Sequence, residues 1–272
     1  MSDRATNRRN PIVRRRDLRR VLSVRGAVSV VELSELLGAS SATIRRDLTA
    51  LAREGIVERG YGGAATRVAR PAEEALVIRE HKYIDEKRAI ARAAIGLIRP
   101  GDTIFLNDGS TVMALARELV ASDLELFVVT PAVNVANLLV ENPHLTVCLL
   151  GGFVRRTSLA TGGPFAESML EQFNADLALL SCDAFSVADG MSYTNAEDAV
   201  LSRKMAARAK RSVAMVISPK LSWSARLTGV ALADIDVLVT DALPAGPRDD
   251  LAKTGVTLIE APSGLAGGGY AT

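Results

Sequence analysis

Along the chain, apolar residues first recur every three or four positions and later gather into short unbroken runs, so two architectures follow one another. Over residues 12–25, Val13, Leu18, Val21 and Leu22 lie near one helical stripe among arginines, and Gly26 ends the run as a C-cap. Ser29 is placed to cap a short helix carrying Leu33, Leu36 and Leu37, which Gly38 closes with a left-handed turn. Ser40 or Ser41 then caps S-A-T-I-R-R-D-L-T-A-L-A-R-E-G. At about 100° per residue, Ile44, Leu48 and Leu51 form the buried stripe of that helix. Ala42, Arg46, Thr49 and Arg53 fall opposite, with Thr43 and Arg45 on the flanks. G-I-V-E-R-G-Y-G-G-A-A then alternates and turns glycine-rich, which predicts a small β-hairpin wing carrying Arg59 and Tyr61.

The rest of the chain reads differently. Residues 66–80 lose the pattern and contain Pro71, so we divide the chain into an N-terminal domain over 1–67, a linker over 68–85 and a body over 86–272. In the body, helices predicted at 86–99, 110–120, 164–173, 196–210 and near 248–254 alternate with apolar strands. A further helix is expected after 130, with Pro131 in its first turn. The strands fall at 103–108, 126–130, 146–150, 176–182, 212–218, 236–241 and 256–261. Apolar strands interleaved with helices imply parallel strands covered on both faces, a Rossmann-like open α/β sheet. Ligands in such sheets bind outside the carboxyl ends of the strands.

Composition narrows the function. A chain of 272 residues, 48% hydrophobic, is long enough for two domains with a sizeable core. No apolar run approaches the ~20 residues of a membrane span, and the arginine-rich start lacks a signal-peptide core, so a cytoplasmic protein is expected. Cys148 and Cys182 sit in strand-like runs, which suits free thiols in a reducing compartment. With two histidines, a Cys/His metal site is not expected, nor any cofactor. The net charge of +2 hides an asymmetry: residues 1–67 carry +7 and the remainder −5. A basic module built as helix, tight turn, helix and wing is the layout that enters the major groove of duplex DNA. Its expected DNA-facing residues are Ser41, Ala42, Thr43, Arg45, Arg46, Thr49, Arg53, Arg59 and Tyr61. One such module gives limited affinity, so at least a dimer is expected.

Polar residues collect where the body's strands end. N-D-G-S-T at Asn107, Asp108, Gly109, Ser110 and Thr111 follows a strand and opens a helix, so backbone N–H groups and hydroxyls can converge on an anion such as phosphate. The same pattern also suits an ordinary capped turn. Gly152, Asp183, Glu197 and Lys220 lie at the ends of other strands or the start of a helix, and complete the candidate effector site.

The strings S-V-V-E-L-S-E-L-L-G-A-S, T-I-R-R-D-L, L-x-x-E-G and R-G-Y-G-G-A resemble the DeoR-type family of bacterial transcriptional regulators. E-K-R-A-I-A, G-D-T-I-F-L, V-V-T, L-L-G-G and V-T-D extend the resemblance through the body. It implies an effector domain similar in fold to sugar-phosphate isomerases, with a phosphorylated sugar-like metabolite as ligand. Asp108, Gly109, Ser110 and Thr111 would hold the phosphate, and Gly152, Glu197 and Lys220 would line the same cavity. The chain departs from the family at Tyr61 (usually His), in N-D-G-S-T (usually D-S-G-T-T), at Pro131 (usually Asn), at Leu177 (often Lys) and at Ile217 (commonly Asp). Three readings follow: a ligand-responsive repressor, a constitutive DNA-binding regulator whose body only oligomerises, and an isomerase-like enzyme using Asp108 and Glu197 as acid and base with Lys220 as electrostatic partner.

Overall fold

The computed structural model describes residues 14, 15, 18, 27–53, 57–60, 63–66, 76–221, 224–243 and 245–261. The chain forms two compact units, Met1–Ala72 and Glu73–Thr272. Val13, Val21, Leu22, Gly26, Tyr61 and Pro71 lie outside the described residues, as do the side chains of Ser29, Arg53 and Arg59.

In the first unit, Arg14, Arg15 and Leu18 are helical, followed by β1 (Ala27–Ser29), α1 (Val30–Leu37), α2 (Ser41–Arg53), β2 (Val57–Gly60) and β3 (Gly63–Thr66). Leu18, Val30, Leu33, Ile44, Leu48 and Leu51 make one buried core, so the stripe expected on α2 is the face that packs. Leu36, expected on the apolar face of α1, is instead exposed. Gly38 takes φ 60°, the left-handed turn between the helices. The Ser40 hydroxyl accepts the Thr43 amide at 3.3 Å, so Ser40 rather than Ser41 caps α2. The wing is a three-stranded antiparallel sheet in the order β1-β3-β2, not a hairpin alone, because Ala27–Ser29 adds along β3.

In the second unit, α3 (Leu76–Glu80) falls within the stretch expected to be linker. Its Leu76 is buried and donates its amide to the Thr157 carbonyl at 2.9 Å. Then come α4 (Ile84–Ile95), β4 (Thr103–Leu106), α5 (Ser110–Val120), β5 (Leu126–Thr130), α6 (Val133–Leu139), β6 (Leu145–Leu149), β7 (Phe153–Arg155) and β8 (Ala160–Gly162). They are followed by α7 (Pro164–Leu170), β9 (Ala175–Leu180), β10 (Ala184–Ser186), β11 (Gly190–Tyr193), α8 (Ala196–Ala207) and β12 (Ala209–Met215). A 3-10 turn (Ser218–Lys220), β13 (Leu227–Val230), β14 (Val237–Thr240), α9 (Ala245–Leu251) and β15 (Thr257–Glu260) complete it.

Seven of these strands form one parallel sheet in the order β15-β14-β12-β9-β4-β5-β6. Two apolar layers cover its faces, one around Phe105, Leu180 and Val216 and the other around Ile104, Leu106 and Val128. Burial on both faces is why these strands read as unbroken apolar runs. From β4 the chain winds outward through β5 and β6, then returns to place β9 on the other side of β4 and continues to β12, β14 and β15. The order therefore reverses between β4 and β9, which defines the crevice where ligands of such sheets bind.

Pro131 is not in the first turn of α6. It precedes the N-cap Ala132, and its carbonyl accepts the Thr161 amide at 2.9 Å and the Thr161 hydroxyl at 3.2 Å. Two small antiparallel elements had no counterpart in the periodicity: the β7–β8 hairpin and the β10-β11-β13 sheet, both placed beyond the carboxyl ends of the main strands.

Candidate functional site

The outer face of α2 carries the groups suited to a groove. Ala42, Arg45 and Arg46 are exposed while Ile44, Leu48 and Leu51 are buried, so the arginines project from a helix whose rotation is set by its core. Ser41 and Thr43 are partly buried; the Ser41 hydroxyl lies 3.1 Å from that of Ser34, and the Thr43 hydroxyl 2.9 Å from that of Ser40. The Thr49 hydroxyl donates back to the Arg45 carbonyl at 2.8 Å. The backbone of Arg59 lies in β2, paired with Ala64 of β3. One functional contact was missed by pattern reasoning. Asp47 is buried on α2 and accepts from Arg14 Nε at 2.5 Å and Arg15 Nε at 3.2 Å, so two arginines of the basic run lock the preceding helix onto α2.

In the second unit, the β4 and β9 ends are laced together across the reversal. The Asn107 side chain donates to the Ser181 carbonyl at 2.8 Å and to the Ser202 hydroxyl at 3.0 Å, and accepts the Ser181 amide at 2.9 Å. Asn107 thus holds the frame of the crevice. The Ser181 hydroxyl donates to the Asp108 carbonyl at 2.9 Å, and the Tyr193 hydroxyl donates to the Ser181 carbonyl at 3.0 Å. Gly109 adopts φ 123°, and a Cβ there would collide with the Ser181 hydroxyl oxygen, so only glycine fits. As N-cap of the eleven-residue α5 it offers no side chain to the first-turn amides, next to Ser110 and Thr111. The first-turn amides thus have no side-chain cap at a topological switch point, an arrangement whose donors and dipole suit an anion.

Charged side chains surround it. Lys220, on the turn after β12, donates to the Cys182 carbonyl at 2.5 Å, and burial lowers its pKa. Asp183 accepts the Thr194 amide at 2.8 Å and the Thr194 hydroxyl at 2.7 Å, with Arg79 4.0 Å away. Arg155, from β7, pairs with Asp198 and stands 3.9 Å from Asp108. Glu197 is exposed at the start of α8, its carboxylate against Gly162 and Gly163. Gly152 adopts φ 134°, and a Cβ there would lie only 3.1 Å from the Gly162 carbonyl.

Three cations near this end were not anticipated: Arg79, Lys87 and Arg155. Lys87 of E-K-R-A-I-A is buried on α4 and donates to the carbonyls of Arg79 and Lys82. Burial, then the charges of Lys220 and Arg79, push it down to about 8. The structure therefore brings Asp108, Gly109, Ser110, Thr111, Asp183 and Lys220 to one end of the sheet, with these three added. A separate apolar hollow of about 410 Å³ lies between Phe185, Leu221, Leu243 and Pro247 and contains none of these charged groups. Cys148 and Cys182 are free thiols, as expected, and burial pushes Cys182 up to about 12. Among the described residues, no group of His, Cys, Asp and Glu is arranged to hold a metal ion, and no helix is long and apolar enough to cross a membrane.

A small helix-turn-helix unit with exposed arginines, joined to a parallel-sheet unit with a charged switch-point crevice, defines a DNA-binding regulator with a sensor domain. Residues 14–68 match the DeoR-like helix-turn-helix domain, and residues 82–242 match the DeoR C terminal sensor domain. The chain belongs to the DeoR family of transcriptional regulators. It is 34% identical over 251 residues to the HTH-type transcriptional regulator GlpR of Haloferax volcanii, covering 92% of this chain and 98% of that one. It is 32% identical over 231 residues to the regulator GolR of Listeria innocua (85% and 91% covered), and 30% identical over 229 residues to the lactose phosphotransferase system repressor of Staphylococcus epidermidis (83% and 90%). Among solved structures, the full-length sorbitol operon regulator SorC of Klebsiella pneumoniae aligns at TM-score 0.41 and 12% identity, over 79% of this chain and 91% of that one.

Proposed function

We propose that the protein is a repressor that holds its operator through α2 and the wing, and that a phosphorylated sugar-like metabolite in the β4–β9 crevice controls that grip. The observation that carries this reading is the uncapped start of α5 at Gly109, Ser110 and Thr111, placed at the sheet's reversal with Lys220 nearby. The amides and hydroxyls suit a phosphate, with the Lys220 ammonium balancing its charge. Asp108, Asp183 and Glu197, which only accept hydrogen bonds when ionised, suit the hydroxyls of a sugar or polyol. Gly152 keeps the mouth open to a close approach. The lactose phosphotransferase system repressor among the relatives supports the same class of ligand.

On the DNA side, Arg45, Arg46 and Arg53 take phosphates or guanine edges, Ser41, Ala42, Thr43 and Thr49 fit the groove, and Arg59 and Tyr61 of the wing reach the backbone or minor groove. The chain works as a dimer or larger homo-oligomer on paired half-sites, in the cytoplasm.

Thermal unfolding against matched phosphorylated and unphosphorylated sugars tests the ligand claim. A ligand at ~100 times its Kd adds about 2.7 kcal/mol to the native state, or several degrees for domains of ~200 residues. The expected result is a shift with phosphorylated members only, abolished in Lys220→Ala and Ser110→Ala. No shift across a broad panel overturns the phosphosugar reading and leaves DNA binding untouched.

A further inference from the structure

We propose that the β7–β8 hairpin, with the start of α7 and the end of β6, is a self-association surface whose occupant is the same strip of a second copy of this chain. Of the eleven large hydrophobic residues exposed among the described ones, five fall in this short segment: Leu149, Phe153, Val154, Leu159 and Phe165. Phe153 is 82% and Phe165 66% exposed, although their rings meet edge to face with centroids 6.2 Å apart. At ~200 Å² for a phenylalanine side chain, the pair alone leaves about 300 Å² of aromatic surface in water. That already reaches the size of the largest patch on an ordinary monomer. Phe165 also approaches Gly152, so the aromatic pair is continuous with the turn that leads from β6 into β7. The strip borders β6, the last strand on its side of the main sheet.

A second copy fits this strip for two reasons. A two-fold contact sets each residue near the axis beside its own counterpart, so any charge there meets its like. Residues 149–154 and 159–166 contain no ionisable side chain; of the two arginines between them, Arg155 is turned to Asp198 and Asp108, and Arg156 is exposed in the hairpin turn. With that charge confined to the turn, the two uncharged stretches around the aromatic pair form a face that is self-complementary, and aromatic anchors are what the centre of an interface needs. The second reason lies in the other unit, which presents one recognition helix, whereas modules of this type read paired half-sites as dimers. The surface claim does not depend on the identity of the effector.

The test is the solution mass of the full chain by sedimentation velocity and light scattering at micromolar concentration. We expect the wild-type chain at two or more times 28.8 kDa. Phe153→Asp with Phe165→Asp should lower that mass at least two-fold while the chain keeps its circular dichroism and a cooperative melting transition, since both rings lie in water within one chain. Their single alanine variants should each weaken association by roughly 30-fold or more. Phe153→Cys serves as a second readout that adds no charge: a short bismaleimide should join two copies, and should not do so in the parent chain. A monomeric wild-type chain overturns the proposal and leaves the strip to a different protein. A double variant that keeps its mass, together with an uncrosslinked Phe153→Cys, overturns it as well.

Discussion

Lys87 is a buried amine held by two backbone carbonyls and repelled by two neighbouring cations, and that conflict has a readable pH signature. Its amine titrates near 8 in the folded chain and at its ordinary 10.5 when unfolded. Between those values the unfolded chain keeps a proton that the folded chain has released. Stability from this site therefore rises as pH increases from about 8 to 10.5, and is flat below 8, where both states are charged. Comparing urea midpoints of wild type and Lys87→Met across that range isolates the group, because the other titrations largely cancel. The wild type should gain on the variant as pH rises; a constant difference would give Lys87 an ordinary pKa. The exposed arginines make the opposite kind of prediction, one without a stability cost. Arg45→Ala and Arg46→Ala should leave folding within about 0.5 kcal/mol. If either arginine pairs with a guanine, its loss costs about 1–3 kcal/mol and relaxes specificity at one position; if it holds a phosphate, binding weakens uniformly and the salt slope falls by about one. Operator titrations at several salt concentrations separate the two roles.

At the scale of elements, what decides the architecture is how neighbouring pieces are tied. Asp47 ties α2 to the helical segment that carries Arg14 and Arg15, and Asp47→Ala removes the carboxylate that both guanidinium groups share, one of them well buried. Breaking such a pair costs about 3 kcal/mol, so the variant should lose DNA binding through unfolding of the first unit, seen in circular dichroism before any operator is added. Gly109 ties β4 to α5, and Gly109→Ala forces φ 123° on a residue with a Cβ directed at Ser181. Strain of about 1–3 kcal/mol is expected, read as a lower urea midpoint of the second unit together with loss of the phosphosugar shift. These ties also explain what was legible beforehand. The parallel strands were readable because burial on both faces makes them continuous apolar runs, and Ile44, Leu48 and Leu51 because one helix period places them together. Asp47 and Lys87 were not, since a charged residue on an amphipathic helix reads as solvated until its partner, more than thirty residues away or on another element, is known. The β7–β8 and β10-β11-β13 strands are only three or four residues long, too short to show a period. Asn107 was read as a ligand group because its frame-holding partners, Ser181 and Ser202, come from the β9 end and α8.

At the scale of the whole molecule, two functions on separate units have to be joined by a free energy, and such a coupling runs both ways. A metabolite moves the operator equilibrium only as far as it binds the DNA-free and DNA-bound states unequally. If it weakens operator binding by some factor, the operator must weaken metabolite binding by the same factor. For a regulator of this kind the factor is roughly 5–150. The phosphosugar Kd measured by calorimetry, with and without saturating operator duplex, should therefore change by the ratio seen in operator titrations with and without saturating phosphosugar. Lys220→Ala should remove the effect of metabolite on operator binding while leaving operator affinity itself unchanged, because Lys220 lies in the second unit, on the turn after β12. Phe153→Asp with Phe165→Asp should do the reverse, lowering operator affinity by separating the two recognition helices while each chain still binds its metabolite. Equal losses of both activities in either variant would mean that neither the crevice nor the hairpin strip acts separately, and that the second unit is a single scaffold on which the first unit's grip depends.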